Sequence, residues 1–157
     1  VLYYGFDGAT HVGELVVNRE IEEDILEIFY ELYQAQYPIE RMELVDDYGG
    51  DDEKSMAANN TSAFNYRTIS GTSRLSNHSY GKAIDLNPFY NPYVYTSKDG
   101  QFHCEPAEAV EYGDRSGDFS HKIDHGDLAW KLFTDHGFAW GGDWNTRKDY
   151  QHFEKTE

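Results

Sequence analysis

The chain is 157 residues long, enough for one domain that buries roughly two thirds of its unfolded surface without a disulfide scaffold. Its 13 Lys and Arg against 29 Asp and Glu leave a formal net charge of −16, a field that repels phosphates and argues against a nucleic-acid partner. The sole cysteine, Cys104, cannot close an internal disulfide, and no apolar run approaches the roughly 18 residues of a membrane span.

Val1 opens the chain with no basic-then-apolar leader after it, so an export signal or anchor is expected to have been removed. Residues 1–17 are aromatic and irregular in pattern, with Leu15-Val16-Val17 as a short edge strand. Asn18 suits an N-cap, and Glu20, Glu22, Glu23 and Asp24 fall where carboxylates meet the positive end of a helix dipole. Ile21, Ile25, Ile28, Phe29 and Leu32 follow at helical spacing, which predicts a helix to about residue 36, stopped by Pro38 and packed on a sheet. Residues 39–45 read as a strand. The acidic stretch from Asp46 to Glu53 lacks the alternating oxygen ligands and closing glutamate of a calcium loop, so it reads as a solvated turn. Residues 63–69 alternate as a strand, with Asn65, Arg67 and Ile69 on one face and Phe64, Tyr66 and Thr68 on the other.

Ser76-Asn77-His78-Ser79-Tyr80-Gly81-Lys82-Ala83-Ile84-Asp85 carries the first concentration of chemistry. To share a zinc ion, His78 and Asp85 must each bring a ligand atom within ~2.0–2.2 Å of it. A continuous helix would hold them ~10 Å apart along its axis, and a straight strand ~23 Å. The chain must therefore double back, and Gly81 stands where a positive φ meets no Cβ clash. Residues 82–86 then read as a short strand carrying Asp85 inward, closed by Asn87-Pro88 because proline cannot donate to a ladder.

Residues 93–123 are loop-rich, with a short helix over 106–112, and are expected to wall a cleft. A second helix over residues 126–135 buries Leu128, Leu132 and Phe133 and ends at Gly137, after which Phe138-Ala139-Trp140 returns to a sheet. The tail, Trp140-Gly141-Gly142-Asp143-Trp144 and Asp149-Tyr150-Gln151-His152-Phe153-Glu154, supplies a second histidine. Asp149 and His152 stand at i and i+3, on one side of a helical turn or of a bent strand entry, so a carboxylate and an imidazole face one water. A lone histidine is ordinarily solvated, but this set reads as a catalytic zinc site, with His78, Asp85 and His152 as ligands and Asp149 beside them. A structural zinc takes four Cys or His ligands, which a single cysteine disfavours. His103, His121, His125 and His136 fall outside the pattern and read as non-ligands, and Cys104 reads as a small buried apolar residue.

These residues resemble the M15 family of zinc peptidases, which cut peptidoglycan stem peptides. The resemblance rests on Ser76-x-His78-x-x-Gly81-x-Ala83-x-Asp85-x-Asn87-Pro88, on Asn91-Pro92-Tyr93, on the tail motifs, and on Phe64-Asn65-Tyr66-Arg67 upstream. It implies one zinc peptidase domain over 1–157 with its motif-bearing core at about 60–157. The implied class is α+β: a small antiparallel sheet with helices packed on one face and zinc at the sheet, as in hedgehog and D,D-peptidase folds. It implies Asp149 as the base, one methylene shorter than the glutamate of other branches, and Arg67 as the group that steadies the oxyanion, with Arg74 the rival. Ser76 and Tyr80 are expected to touch substrate or orient His78, and Trp144 to line the groove. The implied activity is D,D-carboxypeptidase cleavage of terminal D-Ala-D-Ala by a monomer outside the cytoplasmic membrane. An L-alanyl-D-glutamate endopeptidase is the alternative, and a non-catalytic zinc-containing binding module, as in hedgehog, is the alternative of another class.

Overall fold

A computed structural model describes residues 1–70 and 72–156. The first strands lie where the pattern looked irregular: β1 (Leu2–Tyr4) pairs antiparallel with β2 (Thr10–Val12). Residues 15–17 are extended chain outside any strand, which corrects the expected edge strand. Asn18 behaves as read. Its side chain accepts from the Glu20 N–H, capping a 3-10 turn that leads into helix α1 (Glu22–Gln34), with Ile25, Ile28, Phe29 and Leu32 buried.

The expected strand over 39–45 is absent; a single isolated bridge, Arg41 to Asn60, occurs there, and Val45–Tyr48 is a 3-10 helix. Ile39, Met42 and Val45 are the buried residues, every third position rather than every second. The Asn60 side chain also takes the place of a ladder partner, accepting from the Glu43 N–H at 2.8 Å and donating to the Glu43 carbonyl at 2.9 Å. The acidic stretch begins as the expected solvated turn, with Asp46, Asp47, Gly49 and Gly50 exposed, but its end starts a helix. Asp51 accepts from the Lys54 N–H at 3.1 Å and caps α2 (Asp52–Ala57), whose first turn gathers Asp52 and Glu53 where the dipole favours carboxylates. Residues 63–69 form no ladder of their own, but their alternation holds: Asn65 is buried while Phe64 and Tyr66 are exposed.

The remaining strands form two three-stranded antiparallel sheets, so the described residues hold three small sheets where one was expected. One orders β3 (Ala83–Asp85), β8 (His152–Glu154) and β6 (Ala139–Trp140) as β3-β8-β6. The other orders β4 (Tyr93–Thr96), β5 (Phe102–Glu105) and β7 (Arg147–Asp149) as β5-β4-β7. Tyr150 and Gln151 carry the chain from β7 in one sheet to β8 in the other, which is the bent strand entry allowed by the Asp149–His152 spacing. The short helix after β5 is 3-10 in type, over Ala107–Gly113.

Helix α3 (Leu128–Asp135) is capped by Asp127, whose Oδ2 accepts from the Ala129 N–H at 2.8 Å. It starts two residues later than expected, so Ala129 and Phe133 form its buried face and Leu128 is exposed. The core lies between α1, α3 and the β3-β8-β6 sheet, where Phe133 stacks on Phe153 at 4.3 Å and meets Phe29 edge-on at 6.3 Å. Ile84 pairs with Phe153 and Asp85 with His152 in the β3–β8 ladder. Successive side chains on a strand point to opposite faces. Ile84 and Phe153 therefore enter the core while Asp85 and His152 share the other face.

Candidate metal centre

His78 reaches that face from a 3-10 helix over Asn77–Tyr80, whose N-cap is Ser76, with Ser76 Oγ accepting from the His78 N–H at 3.3 Å. Gly81 makes the reversal between His78 and Asp85 at φ 64, and a Cβ there would stand 2.7 Å from the Asn18 backbone nitrogen. The three side chains then converge. His78 Nε2 lies 3.1 Å from Asp85 Oδ2, His152 Nδ1 lies 3.1 Å from Asp85 Oδ1, and the two ring nitrogens are 3.1 Å apart. All three residues are buried, and one ligand atom from each lies within 4.8 Å of the others.

The protons in this cluster decide what it can hold. His78 Nδ1–H donates to the Ala63 carbonyl at 2.5 Å, and His152 Nε2–H donates to Glu154 Oε2 at 2.9 Å, a carboxylate itself held by Asn77 Nδ2 at 2.7 Å. With those tautomers fixed, the inner nitrogens present lone pairs to each other and to an anionic carboxylate. Such a group is repulsive unless a cation joins it, and two imidazoles with one carboxylate suit a divalent transition metal such as zinc. The titration behaviour carries the same demand. Burial opposes charge on His152, yet Asp85 and Glu154 together lift it to about 10; burial likewise opposes charge on Asp85, yet His78 and His152 hold it far below the ordinary carboxylate range. The cluster takes a positive charge, as a proton or as a metal.

Asp149 is the fourth residue brought in. Its Oδ2 lies 4.0 Å from His152 Nδ1, and its Oδ1 is buried without a hydrogen-bond partner. Burial pushes this carboxyl up to about 7, with His152 opposing the rise and Asp85 adding to it. Gly141 lets its strand pass closely, since a Cβ at that position would fall 2.5 Å from the Asp149 carbonyl oxygen.

Arg67 lies on the same cavity, with its backbone pinned by Ser79 Oγ, which accepts from the Arg67 N–H at 3.0 Å and donates to its carbonyl at 2.8 Å. Arg67 Nε is 3.0 Å from Asp52 Oδ2, but its N–H does not point at that oxygen, so the contact is an ion pair without a hydrogen bond. Asn65 Nδ2 donates to the other Asp52 oxygen at 3.0 Å. Burial raises the Asp52 carboxyl and the Arg67 charge offsets part of that rise. Asp52 is the residue that sequence reasoning missed, because it sits among acids that look alike and only the folded chain sets it against Arg67.

The cavity measures about 350 Å³ and is lined by Arg67, Arg74, Ser76, Asp85, Trp144, Arg147, Asp149 and His152, among others. The Trp144 ring lies 5.2 Å from that of His152. Tyr80 is not brought in. It ends the 3-10 turn outside the cavity lining, with its side chain more than half exposed and its carbonyl accepting from Asn18 Nδ2 at 3.1 Å. The five histidines outside the motif are partnered elsewhere: His11 meets Asp7, His103 stacks on Tyr95, His121 on Phe6, His125 meets Asp143, and His136 meets Asp24. Cys104 is half-buried rather than buried, and burial pushes its thiol up to about 11.

No helix among the described residues is long and apolar enough to cross a membrane. No curated protein and no solved structure matches the chain. A family profile described as D-alanyl-D-alanine carboxypeptidase does match, over residues 70–155, which take in His78, Asp85, Asp149 and His152 and more than half of the chain. With His78, Asp85 and His152 of that span meeting at one sheet face, the chain belongs to the M15 peptidase family.

Proposed function

We propose that this chain is a zinc-dependent D,D-carboxypeptidase that hydrolyses the terminal D-Ala-D-Ala bond of peptidoglycan stem peptides outside the cytoplasmic membrane. The observation that carries the reading is a partnerless, buried Asp149 oxygen beside a cation-demanding His78-Asp85-His152 cluster at the wall of an open cavity. One chain supplies every one of these groups, so a monomer suffices.

His78, Asp85 and His152 would hold the zinc. A zinc ion in such a site supplies Lewis acidity to the scissile carbonyl and to water, whose pKa falls toward ~7. Asp149 accepts the proton of the attacking water as the new C–O bond forms, and returns it to the amine nitrogen as the C–N bond breaks. Burial raises this carboxyl and so favours its taking up a proton, while a zinc ion beside it would pull the other way and keep it able to act as a base. Arg67 faces the developing oxyanion with a charge that no proton loss can remove, and Asp52 keeps its guanidinium turned to the cavity. Trp144 and Ser76 flank the place where substrate lies.

The non-catalytic alternative needs neither Asp149 nor Arg67, and both line the cavity. The test is digestion of a defined pentapeptide muropeptide, read by mass spectrometry with and without chelator. Loss of one terminal D-alanine, abolished by chelation, is the expected result; a cut between L-alanine and D-glutamate would move the assignment to the endopeptidase branch, and no cut at all would leave a binding module. Asp149→Ala is expected to retain zinc and lose turnover by more than 100-fold, on the scale of removing a general base.

A further inference from the structure

Three arginines line the cavity, and one of them, Arg147, has no task in the hydrolysis itself. Arg147 lies on β7 two residues before Asp149, and alternation along the strand turns both side chains to one face. Their ladder partners on β4 are Tyr95 and Tyr93, so a tyrosine stands across from each. The Arg147 guanidinium rests 5.6 Å from the Trp144 ring, which in turn adjoins His152. Arg67 is tied to Asp52, whereas Arg147 pairs with no carboxylate among the described residues although Asp52, Asp85, Glu105, Asp149 and Glu154 all line the same cavity.

A cavity lined by so many acids repels an anionic peptide end unless a cation receives it. Arg147 stands two residues from Asp149 on the same strand face, so a long cationic side chain borders the carboxylate assigned to the cleaved bond.

We infer that Arg147, braced on Trp144, is the specificity-determining residue that receives a carboxylate on the residue following the cleaved bond. The inference rests on the peptidase reading of the neighbouring cluster and adds to it the group that selects peptides with a charged end.

Three peptides test it: one ending in D-Ala-D-Ala as the free acid, its C-terminal amide, and an amide whose last residue is D-Glu. Binding is measured by calorimetry in zinc-loaded Asp149→Asn protein, and kcat/KM in the parent, so that loss of turnover and loss of recognition are read separately. The parent is expected to prefer the free acid over the plain amide, and Arg147→Gln to lose on the order of 10- to 100-fold on the acid with little change on the amide. Arg147→Lys, which keeps the charge but not the fork, should fall between them. Recovery of binding by the D-Glu amide assigns the carboxylate to a side chain rather than the terminus and still supports Arg147. Equal binding of acid and amide by the parent overturns the inference, as does failure of all three peptides to bind. A preference that survives Arg147→Gln but disappears in Arg74→Gln overturns it too.

Discussion

At the residue scale, Asp52 turns a general feature of the chain into a local one. Carboxylates outnumber cations by more than two to one, yet this particular carboxylate is held by Asn65 and faces Arg67 across 3.0 Å. Asp52→Ala is expected to leave zinc content unchanged and to lower kcat by about tenfold with KM nearly constant, because an unanchored guanidinium spends less time facing the oxyanion. Steady-state kinetics with a metal assay check this, and an unchanged kcat would show that Arg67 needs no partner. Asp52→Asn, which keeps the shape, should retain more of the rate than Asp52→Ala. The contrast between Asp52 and the four motif residues explains what was legible. His78, Asp85, Asp149 and His152 announce themselves because metal and proton chemistry restricts residue type and spacing together. Asp52 lies outside any such spacing, so its pairing exists only in the folded chain. Tyr80 shows the converse: it adjoins His78 in sequence, but the tight turn leaves its side chain exposed and outside the cavity lining.

At the element scale, the site depends on one glycine-made reversal and one strand pair. Gly81 holds φ 64 and packs its α-carbon against the 17–18 backbone, so Gly81→Ala adds both a left-handed strain and a steric collision. The substitution is expected to cost about 1–3 kcal/mol of stability and to weaken metal affinity as well, since His78 and Asp85 lie on either side of the reversal. Thermal unfolding and zinc competition with a chromophoric chelator measure the two effects; a variant that loses stability while holding zinc as tightly as the parent would show that the reversal does not set the ligand geometry. The same scale shows why helices were easier to foresee than strands. Helix α1 and most of α3 repeat their apolar residues often enough for a 3.6-residue period to appear, and Asn18, capping the 3-10 turn before α1, and Gly137, at positive φ after α3, carry ordinary end chemistry. The strands are two to four residues long, shorter than a reliable alternation, which is why β1 and β2 leave no strand pattern in the sequence and residues 39–45 show one that the fold does not use.

At the scale of the whole molecule, the cluster ties stability to charge. Without metal, the positive charge it demands comes from a proton. The folded-state pKa of His152 is raised from its ordinary 6.5 to about 10, where the attraction of Asp85 and Glu154 outweighs burial. A raised folded-state value means that the folded chain binds protons more tightly than the unfolded one, so this stabilisation is fully present below pH 6.5 and is lost as pH rises through 10. Asp149 adds in the same direction at lower pH, because its raised value means stability is lost as pH climbs from the ordinary 3.8 through about 7. Metal reverses the trend, since it supplants the proton and binds best when the ligands are deprotonated. Chelated protein is therefore expected to melt at progressively lower temperature from pH 6 to 9. Zinc-loaded protein should hold its melting temperature across that range and exceed the chelated form most at pH 9; zinc at 100 times its dissociation constant adds about 2.7 kcal/mol. Calorimetric scans at fixed ionic strength measure both curves. Parallel curves would mean that the proton and the metal do not compete for one site, and with that the joint assignment of His78, Asp85 and His152 as ligands would fail.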